Sequence, residues 1–359
     1  MRRRLGIFLL ASSLSAITTV APAEVVSSDT TMKLIKTING NITPKSVRSS
    51  GDGVVSAQNM MYRHSITIYD SKTFALLKTV PDSVSLKDFG YGASVGTYKG
   101  APVEGSFSPD GKYLYVTNYS MYGAGYTKEG HDTCSPASGF DKSFVYRINR
   151  SNYAIDAIYP VGSVPKVVEV TPDNKYLLVT NWCSYTVTII SIASQKVIKS
   201  IYIGPYPRGI AISKDSSKAY VAEMGGNRIH VINLNDFSIS YIPIGTNPRA
   251  IVLSPDNSKL FVTLNLSGRV ASWDLATNKV GSSIKTGKAA RSLAISADGT
   301  ALFVVNFESG TVSKLRTSDM KILQTLSVCK QPIGVTYDSP TKNVWVACYL
   351  GQIKIFSNN

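Results

Sequence analysis

The sequence has few of the residues that build redox and metal centres. It contains three histidines, His64, His131 and His230, among 359 residues. Three histidines are too few for the His-rich copper clusters of some reductases, and the absence of a C-x-x-C-H motif excludes attached haem. A G-x-S-x-G nucleophile motif and a P-loop are also absent. We therefore expect no cofactor and no metal site, and the sequence indicates no catalytic residues.

Long apolar runs are missing after the N-terminus. The N-terminus itself has three parts: Arg2–Arg4, the apolar run Leu5–Val20, and the small-residue site Ala21–Ala23. This order is typical of a secretory signal peptide, and the run is too short and too rich in Ser and Thr to span a membrane, which takes about 20 apolar residues. We expect residues 1–23 to be a signal peptide, no transmembrane segment, and a secreted, periplasmic or cell-surface protein that begins at Glu24.

Acidic residues are scarce relative to basic ones. The chain has 38 lysines and arginines against 23 aspartates and glutamates, a net charge of +15, of which +12 remains without the three leader arginines. A strongly basic protein attracts anionic partners such as nucleic acids, cell-wall polymers or lipid headgroups, although the charge identifies none of them. A solvated basic face that only improves solubility explains the composition equally well.

What the sequence does contain is a repeated phrase. It reads SPDGKYLYVTN at 108–118, TPDNKYLLVTN at 171–181 and SPDNSKLFVTLN at 254–265. Weaker copies place a turn aspartate at 173, 215, 256 and 298, so the interval is 41 or 42 residues, the length of one propeller blade. Aligned eight residues before this aspartate, the chain contains seven copies, which begin near Pro44, Pro102, Pro165, Pro207, Pro248, Ala290 and Pro332.

Each copy predicts four strands, A to D, because Val, Ile, Tyr and Thr alternate with period 2 between turn residues. The last copy ends after its strand C, Gln352–Phe356, while an orphan segment, Met32–Ile38, matches the pattern of strand D elsewhere. We therefore predict that residues 24–359 form one all-β domain, a seven-bladed β-propeller of four-stranded blades whose ring is closed by an N-terminal outer strand. Closure leaves only short, protected sheet edges.

These repeats, over about residues 32–356, resemble the YVTN-type β-propeller repeats of bacterial YncE-like proteins. The resemblance implies the seven-bladed fold and an exported binding or surface protein, since some members are reported to bind DNA and many have no known activity. The first and last copies, at 51–59 and 338–347, keep the strand pattern but lose parts of the phrase. The resemblance implies the architecture more specifically than the function.

All four cysteines lie after the predicted cleavage site, and an even number in an exported chain favours disulfides. In the repeat register, Cys329 precedes a strand A and Cys348 ends strand B of the same blade. Cys134 and Cys183 fall in equivalent loops of adjacent blades. Of the three possible pairings we therefore predict Cys329–Cys348 and Cys134–Cys183. Metal ligation is the less favoured alternative because no C-x-x-C or H-x-x-x-H accompanies the cysteines.

Two insertions interrupt the regular repeat. Residues 81–101 are a long connection from strand D to strand A, and residues 119–142 are a long loop between strands B and C of blade 2. Both rise from the same side of the ring, which we call the loop face. Their aromatic and basic residues suit stacking on sugars or bases and contact with phosphate or carboxylate, and we single out Tyr91, Tyr122, Tyr126 and His131. The alternative is that the tyrosines only pack the insertions onto the rim.

The loop face carries a second regularity. The position after the aligned proline is basic in five copies, and these residues are Lys45, Lys166, Arg208, Arg249 and Arg291; the other two copies have Val103 and Ile333. Because strand A is innermost, the five side chains should surround the mouth of the central channel. Like charges held close require an anion, water or nearby acids for compensation. Arginines that bond backbone carbonyls between blades are the structural alternative.

Together these features predict a monomeric, non-enzymatic binding module. Its ligand would be anionic, a nucleic acid, a cell-wall polymer or a small anion, and would bind on the loop face. A lactonase-like hydrolase is the best enzymatic alternative, with Glu104, Glu169 and Glu223 beside Arg208 and Arg249 as candidate groups. A structural cell-surface protein is the third reading.

Overall fold

The computed structural model describes residues 25–91 and 96–359, and the predicted signal peptide, residues 1–23, lies outside the described residues. The described chain forms seven antiparallel sheets in a ring and two short 3-10 turns. The predicted all-β, seven-bladed β-propeller is therefore confirmed. Within these ranges no helix has the length and apolar character needed to cross a bilayer.

Strand A of each blade lies at the centre of the ring and strand D at the rim. The chain begins with β1 (Lys33–Ile38). Blade 1 contains β2 (Pro44–Ser49), β3 (Val54–Asn59), β4 (Ser65–Asp70) and β5 (Leu76–Pro81). Blade 2 contains β6 (Ser83–Val84), a 3-10 turn (Leu86–Phe89), β7 (Tyr98–Phe107), β8 (Tyr113–Tyr122), a second 3-10 turn (Pro136–Ser138), β9 (Lys142–Asn149) and β10 (Ile155–Ser163).

The remaining blades follow the regular repeat. Blade 3 contains β11 (Pro165–Val170), β12 (Tyr176–Asn181), β13 (Thr186–Ser191) and β14 (Lys196–Tyr202). Blade 4 contains β15 (Pro207–Ile212), β16 (Lys218–Glu223), β17 (Arg228–Asn233) and β18 (Ile239–Pro243). Blade 5 contains β19 (Pro248–Leu253), β20 (Lys259–Leu264), β21 (Arg269–Asp274) and β22 (Lys279–Lys285). Blade 6 contains β23 (Ala290–Ile295), β24 (Ala301–Asn306), β25 (Thr311–Arg316) and β26 (Ile322–Ser327), and blade 7 contains β27 (Pro332–Asp338), β28 (Asn343–Cys348) and β29 (Gln352–Ser357).

The N-terminal strand closes the ring, as predicted. β1 pairs antiparallel with β29, from Lys33 opposite Ser357 to Ile38 opposite Ile353, and so becomes the outer strand of blade 7. The segment before β1 is also anchored. The buried Lys314 Nζ of blade 6 donates hydrogen bonds to the Thr30 carbonyl at 2.6 Å and to Asn358 Oδ1 at 2.7 Å. Both ends of the described chain are therefore tied to blade 6.

The hydrophobic core consists of layers between neighbouring blades. One layer packs Tyr220 and Ile229 of blade 4 against Ile251 and Leu260 of blade 5. Strand B is covered on both faces, and every residue of β24 and of β28 is buried. A strand buried on both faces reads as a continuous apolar run rather than as an alternation, which explains phrases such as Leu302–Val305.

The last residue of strand B contacts the segment that leads into strand A of the same blade. In blade 3, Asn181 Oδ1 accepts a hydrogen bond from Gly162 N at 2.9 Å, and Asn181 Nδ2 donates to Thr188 Oγ1 at 2.9 Å. A side chain on Gly162 would collide with Asn181, since a Cβ would lie 2.8 Å from it. The same close approach recurs for Gly204 with Glu223, Gly245 with Leu264, and Gly287 with Asn306.

A disulfide takes this place in blade 7. Cys348 ends strand B, and Cys329 stands three residues before strand A, as Gly162 does in blade 3. Their Cα atoms are 6.2 Å apart and the two residues form a disulfide. The Cys329–Cys348 bond is thus a covalent version of a contact that the other blades make between a glycine and the end of strand B, and the register prediction is confirmed.

The two insertions build one extension of blade 2. β7 and β8 continue their ladder beyond the regular repeat, so that Lys99 lies opposite Tyr122 and Gly100 opposite Met121. β6 pairs with β7 and gives this blade a fifth strand, which corrects the expectation of four strands in every blade. Residues 92–95 of the first insertion lie outside the described residues.

Removal of β1 tests the closure. A chain that begins at residue 39 leaves the edge of β29 unpaired and deprives Lys314 of its contact with Thr30. Compared with a chain that begins at residue 25, we expect it to melt at a lower temperature or to aggregate. Thermal unfolding and light scattering of the two proteins measure the difference. Equal melting temperatures would contradict the stabilising role of β1.

Candidate functional site

The five predicted cations occupy one repeat position, the second residue of the inner strand. In blades 3 and 4 the threonine of the VTN phrase in the preceding blade holds this residue. Thr117 Oγ1 donates to the Lys166 carbonyl at 2.7 Å, and Thr180 Oγ1 donates to the Arg208 carbonyl at 2.9 Å. The threonine of the repeat phrase therefore joins neighbouring blades beside Lys166 and Arg208, and it fixes the backbone from which these two side chains project.

The structure brings the five side chains together; we call them the cation ring. Four are buried, with exposed fractions of 8% for Lys45, 4% for Lys166, 6% for Arg208 and 7% for Arg249, and Arg291 is partly buried. Burial, and then the charges of the other four cations, hold the pKa of Lys45 well below its ordinary value. Burial and the neighbouring arginines also lower the pKa of Arg249. The five groups are therefore close enough to repel one another.

Two acidic side chains neutralise part of this charge. Asp132 Oδ1 lies 2.9 Å from Lys166 Nζ, and Glu104 Oε1 lies 3.2 Å from Arg208 Nη2. Burial lowers the pKa of Lys166 to about 7, although Asp132 opposes the shift. Partial desolvation favours the neutral form of Asp132, whose side chain is 70% exposed, but Lys166 outweighs it and holds the pKa of this carboxyl well below its usual range. Burial raises the pKa of Glu104, although Arg208 opposes the change.

The other three cations have no carboxylate within 4.0 Å in the described part of the chain. Each faces a polarisable side chain instead: Lys45 Nζ lies 5.1 Å from the ring centroid of Tyr349, Arg249 Nη1 lies 3.6 Å from Met224 Sδ, and Arg291 Cζ lies 3.5 Å from the ring centroid of Phe307. Arg291 Nε is buried without a hydrogen-bond partner among the described residues. Cation–π contacts contribute about 0.5–2 kcal/mol, which is less than the several kcal/mol needed to desolvate a cation.

These polarisable side chains share a second repeat position. In each of these blades one residue of strand B pairs with the first residue of strand A, and the polarisable side chain belongs to the next residue along the chain. We call these five side chains the collar: Tyr119, Trp182, Met224, Phe307 and Tyr349. Lys166 Nζ lies near two of its members, 4.3 Å from the Tyr119 ring centroid and 5.1 Å from that of Trp182. The collar was not predicted, although a period-42 alignment of the residue after the VTN phrase would have shown it.

The cation ring lines two cavities. The loop-face cavity, of about 400 Å³, is bounded by Lys45 and Lys166 together with Tyr62, His64, Tyr119, Tyr122, Glu129, Asp132 and Tyr349. The channel cavity, of about 420 Å³, is bounded by the three arginines and by Glu104 and Glu169. Of the predicted insertion residues, Tyr122 therefore lies at the site, and its hydroxyl donates to Glu129.

The second insertion is fastened over Lys166. The predicted disulfide Cys134–Cys183 is present, with Cα atoms 5.4 Å apart, and joins this insertion to blade 3. Trp182 Nε1 donates to the Asp132 carbonyl at 2.9 Å, and Tyr185 donates its hydroxyl hydrogen to the Cys134 carbonyl at 2.8 Å. The position of the Asp132 carboxylate over Lys166 is therefore set by a covalent bond and by the collar.

The other predicted insertion residues lie away from this contact. Tyr91 packs edge-on against Phe144 with ring centroids 5.2 Å apart, and Tyr126 packs against Tyr98 at 5.8 Å. These rings belong to the apolar cluster that supports the extension of blade 2. His131 is exposed, and its Nδ1 accepts a hydrogen bond from a neighbouring backbone N–H. Their expected role in ligand binding has no contact with the cation ring to support it.

Each of the glutamates considered for hydrolysis pairs with a different basic side chain. Besides the pairing of Glu104 described above, Glu169 lies 2.6 Å from Arg48, and Glu223 lies 2.9 Å from His230 Nε2. At the positions equivalent to Glu223 and His230, blade 3 has a hydrogen bond from an asparagine to a threonine hydroxyl, and blade 6 has one from an asparagine to a serine hydroxyl. The Glu223–His230 pair therefore replaces a structural contact of the repeat. Across residues 25–91 and 96–359, no three His, Cys, Asp or Glu side chains are grouped so that they could hold a metal ion.

Comparison with known proteins supports the fold. A chain of Kuenenia stuttgartiensis hydrazine synthase superposes with a TM-score of 0.67 at 17% identity, over 90% of this chain and 96% of that chain; identity this low shows the fold alone. Antigen Lp49 of Leptospira interrogans is 28% identical over 120 residues, which are 33% of this chain and 23% of that protein. The chain thus spans under a quarter of this curated relative. No family model matches, so membership in the YVTN-type family is not confirmed.

Loss of the Cys134–Cys183 bond should loosen the insertion and leave the ring folded. This bond closes a loop of 49 residues and the Cys329–Cys348 bond one of 19, which correspond to about 4 and about 3 kcal/mol of chain entropy. We expect a Cys134→Ser, Cys183→Ser variant to exchange amide hydrogens faster at residues 127–141, with protection of the inner strands retained. A Cys329→Ser, Cys348→Ser variant is the matched control and should leave 127–141 protected. Equal protection of this segment in both variants would show that the disulfide does not hold it.

Titration of Lys166 should also make the free energy of unfolding depend on pH. The pKa of Lys166 is about 7 in the folded state and 10.5 in its ordinary state, so between these values the unfolded chain binds a proton that the folded chain has released. Stability contributed by this group therefore rises as the pH rises above about 7. Chemical denaturation between about pH 6 and pH 9 measures the slope. Lys166→Met should flatten it, whereas Lys175→Met, on the opposite face, should not; a Lys166→Met protein with the original slope would refute the assignment.

Proposed function

We propose that this chain is an exported, non-enzymatic binding module, related to the YVTN-type propellers, that holds an anionic ligand at the cation ring. The observation that carries the proposal is the presence of three cations, Lys45, Arg249 and Arg291, without a carboxylate partner among the described residues. A cation removed from water without a partner costs several kcal/mol. An anion that binds between these groups offsets that cost.

The fold itself does not require charge at this position. Blades 2 and 7 carry Val103 and Ile333 there, and both side chains are buried in the same inner-strand setting, with exposed fractions of 0% and 4%. An apolar residue is therefore compatible with the local backbone. Five cations in a position that accepts valine or isoleucine indicate a role other than stability, because proteins retain destabilising groups mainly where a function needs them.

Export is part of the proposal. It is supported by the signal-peptide pattern of residues 1–23 and by two disulfides, which persist in oxidising compartments. The name of the relative Lp49, an antigen, agrees with an exposed location. The positive net charge would draw an anion toward the protein over distances of about 8 Å at physiological salt.

Arg249→Met tests the proposal because it should move stability and binding in opposite directions. The substitution removes a repelled, unpaired cation and leaves no acid without its partner, so we expect the free energy of unfolding to rise by about 1–3 kcal/mol. The affinity for pyrophosphate, measured by calorimetry at low salt, should fall about tenfold or more. Loss of both stability and binding would indicate a structural role instead.

A double variant locates the ligand on one face of the ring. Arg208→Ala with Arg249→Ala should weaken binding and reduce its dependence on salt, since fewer anionic contacts displace fewer counterions. The matched control is Lys175→Ala with Lys259→Ala, two basic residues on the opposite face. If the control pair lost affinity while the arginine pair retained it, the ligand would lie on the other face and the proposal would fail.

A further inference from the structure

We propose that the ligand is a small organic anion with two or more negative charges, and that it is enclosed in the loop-face cavity against Lys45 and Lys166 rather than laid along the surface as a polymer. The inference rests on the proposed function, because it specifies the ligand class for the same site. Its basis is the enclosure of the lysines, the size and walls of the cavity, and the carboxylate that already occupies one end of it.

The two lysines are almost wholly buried and line the loop-face cavity. Lys45 and Lys166 are 8% and 4% exposed, and both line a space of about 400 Å³. That volume lies in the range of about 300–1,000 Å³ that is usual for small-molecule sites, and it exceeds what a bare phosphate ion fills. The phosphates of a duplex lie on a rigid outer surface. They cannot approach side chains buried to this degree, so an enclosed ligand must be small.

The walls favour a ligand with an organic part. Tyr119, Tyr122 and Tyr349 line the cavity, and so does Tyr62, which is 87% exposed. Aromatic side chains of this kind pack against planar rings or against the apolar faces of sugars. A ligand that carries anionic groups together with a ring or sugar therefore matches a wall in which lysines and tyrosines lie side by side.

Asp132 shows how an anionic group is held there. Its carboxylate lies 2.9 Å from Lys166 Nζ and also accepts a hydrogen bond from the Tyr119 hydroxyl at 3.2 Å. The disulfide-bonded insertion thus supplies one carboxylate from within the chain. Lys45 has no counterpart in the described residues, so the ligand's anionic groups are expected to lie at Lys45 and toward the three arginines, in competition with Asp132.

Binding should be linked to protonation of the lysines. The charged and titratable groups that face them are Asp82, Glu104, Glu129 and Asp132, the arginines 208, 249 and 291, His64, and the tyrosines 119, 122 and 349. Lysine pKa values lowered by burial and like charge rise again when an anion is added. The complex therefore takes up protons near and above pH 7, and affinity falls as the pH rises.

The experiment is titration calorimetry of the chain from residue 25 to residue 359 with four probes: phenyl phosphate, citrate, inorganic phosphate and a 20-base-pair DNA duplex. Each is titrated at low salt in two buffers of different ionisation enthalpy at pH 7.5, which gives the number of protons taken up. We expect phenyl phosphate or citrate to bind at a ratio of one to one, at least tenfold tighter than inorganic phosphate and than the duplex expressed per site, with net proton uptake.

Two variants assign the binding to the cavity. Lys45→Met should weaken the small anions at least tenfold and reduce the proton uptake, with Lys175→Met as the matched control on the opposite face. Asp132→Asn removes the carboxylate that competes with the ligand for Lys166, so it should strengthen binding of the small anions at pH 6, with a larger proton uptake because the pKa of Lys166 falls further without Asp132. Unchanged affinity in Lys45→Met, or weaker binding in Asp132→Asn at pH 6, would overturn the enclosed site.

The outcomes separate this inference from the proposed function. If the duplex binds more tightly than the small anions, and Arg208→Ala with Arg249→Ala weakens it, the ligand class is wrong while the anion-binding function stands. If no probe binds at low salt, both are wrong. Tight one-to-one binding of a small organic anion that the duplex cannot displace supports both.

Discussion

The repulsion between the cations at the centre of the ring is the constraint on which the site depends. Because the ring of blades is closed, the inner strands cannot move apart. The threonine hydroxyls that donate hydrogen bonds to the neighbouring blade also fix the backbone of Lys166 and Arg208. The charges therefore cannot relax by separation. They are offset by two ion pairs and by release of protons, because burial first, and then the neighbouring cations, lower the pKa values of Lys45 and Lys166.

The order of residues around the ring distributes this repulsion unevenly. Lys45 stands between the two blades that carry Val103 and Ile333, whereas Lys166, Arg208, Arg249 and Arg291 follow one another in adjacent blades. Burial is the largest cause of the lowered pKa of Lys45, as it is for Lys166, Arg249 and Arg291. A sevenfold repeat has thereby acquired one asymmetric sector, and the long insertion of blade 2 covers that sector.

The features that the sequence predicted well are those that follow from register. The repeat interval determines the blades, the orphan strand before Pro44 determines the closure, and the places of Cys329 and Cys348 in the repeat determine their bond. Features that depend on non-repeating segments were not predictable in the same way. Nothing in the spacing of Asp132 indicates that it meets Lys166, and Tyr91 and Tyr126 have the composition of ligand-binding residues although they pack against Phe144 and Tyr98. The fifth strand of blade 2 is a short pairing that no periodicity reveals.

The pairing of β1 with β29 has a consequence for the order of folding. Lys33 lies opposite Ser357, so β1 cannot pair until β29 has been synthesised, and blade 7 stays incomplete until then. Contacts of such long sequence separation form slowly because of the entropy of closing the loop. Blades 1 to 6 can assemble from local hairpins as they emerge, but the cations of blades 1 and 6 are brought to their final separation only by this last step. Assembly of the cation ring is thus coupled to the synthesis of β29, and a chain that lacks β29 presents an open arc of charges instead of a closed one.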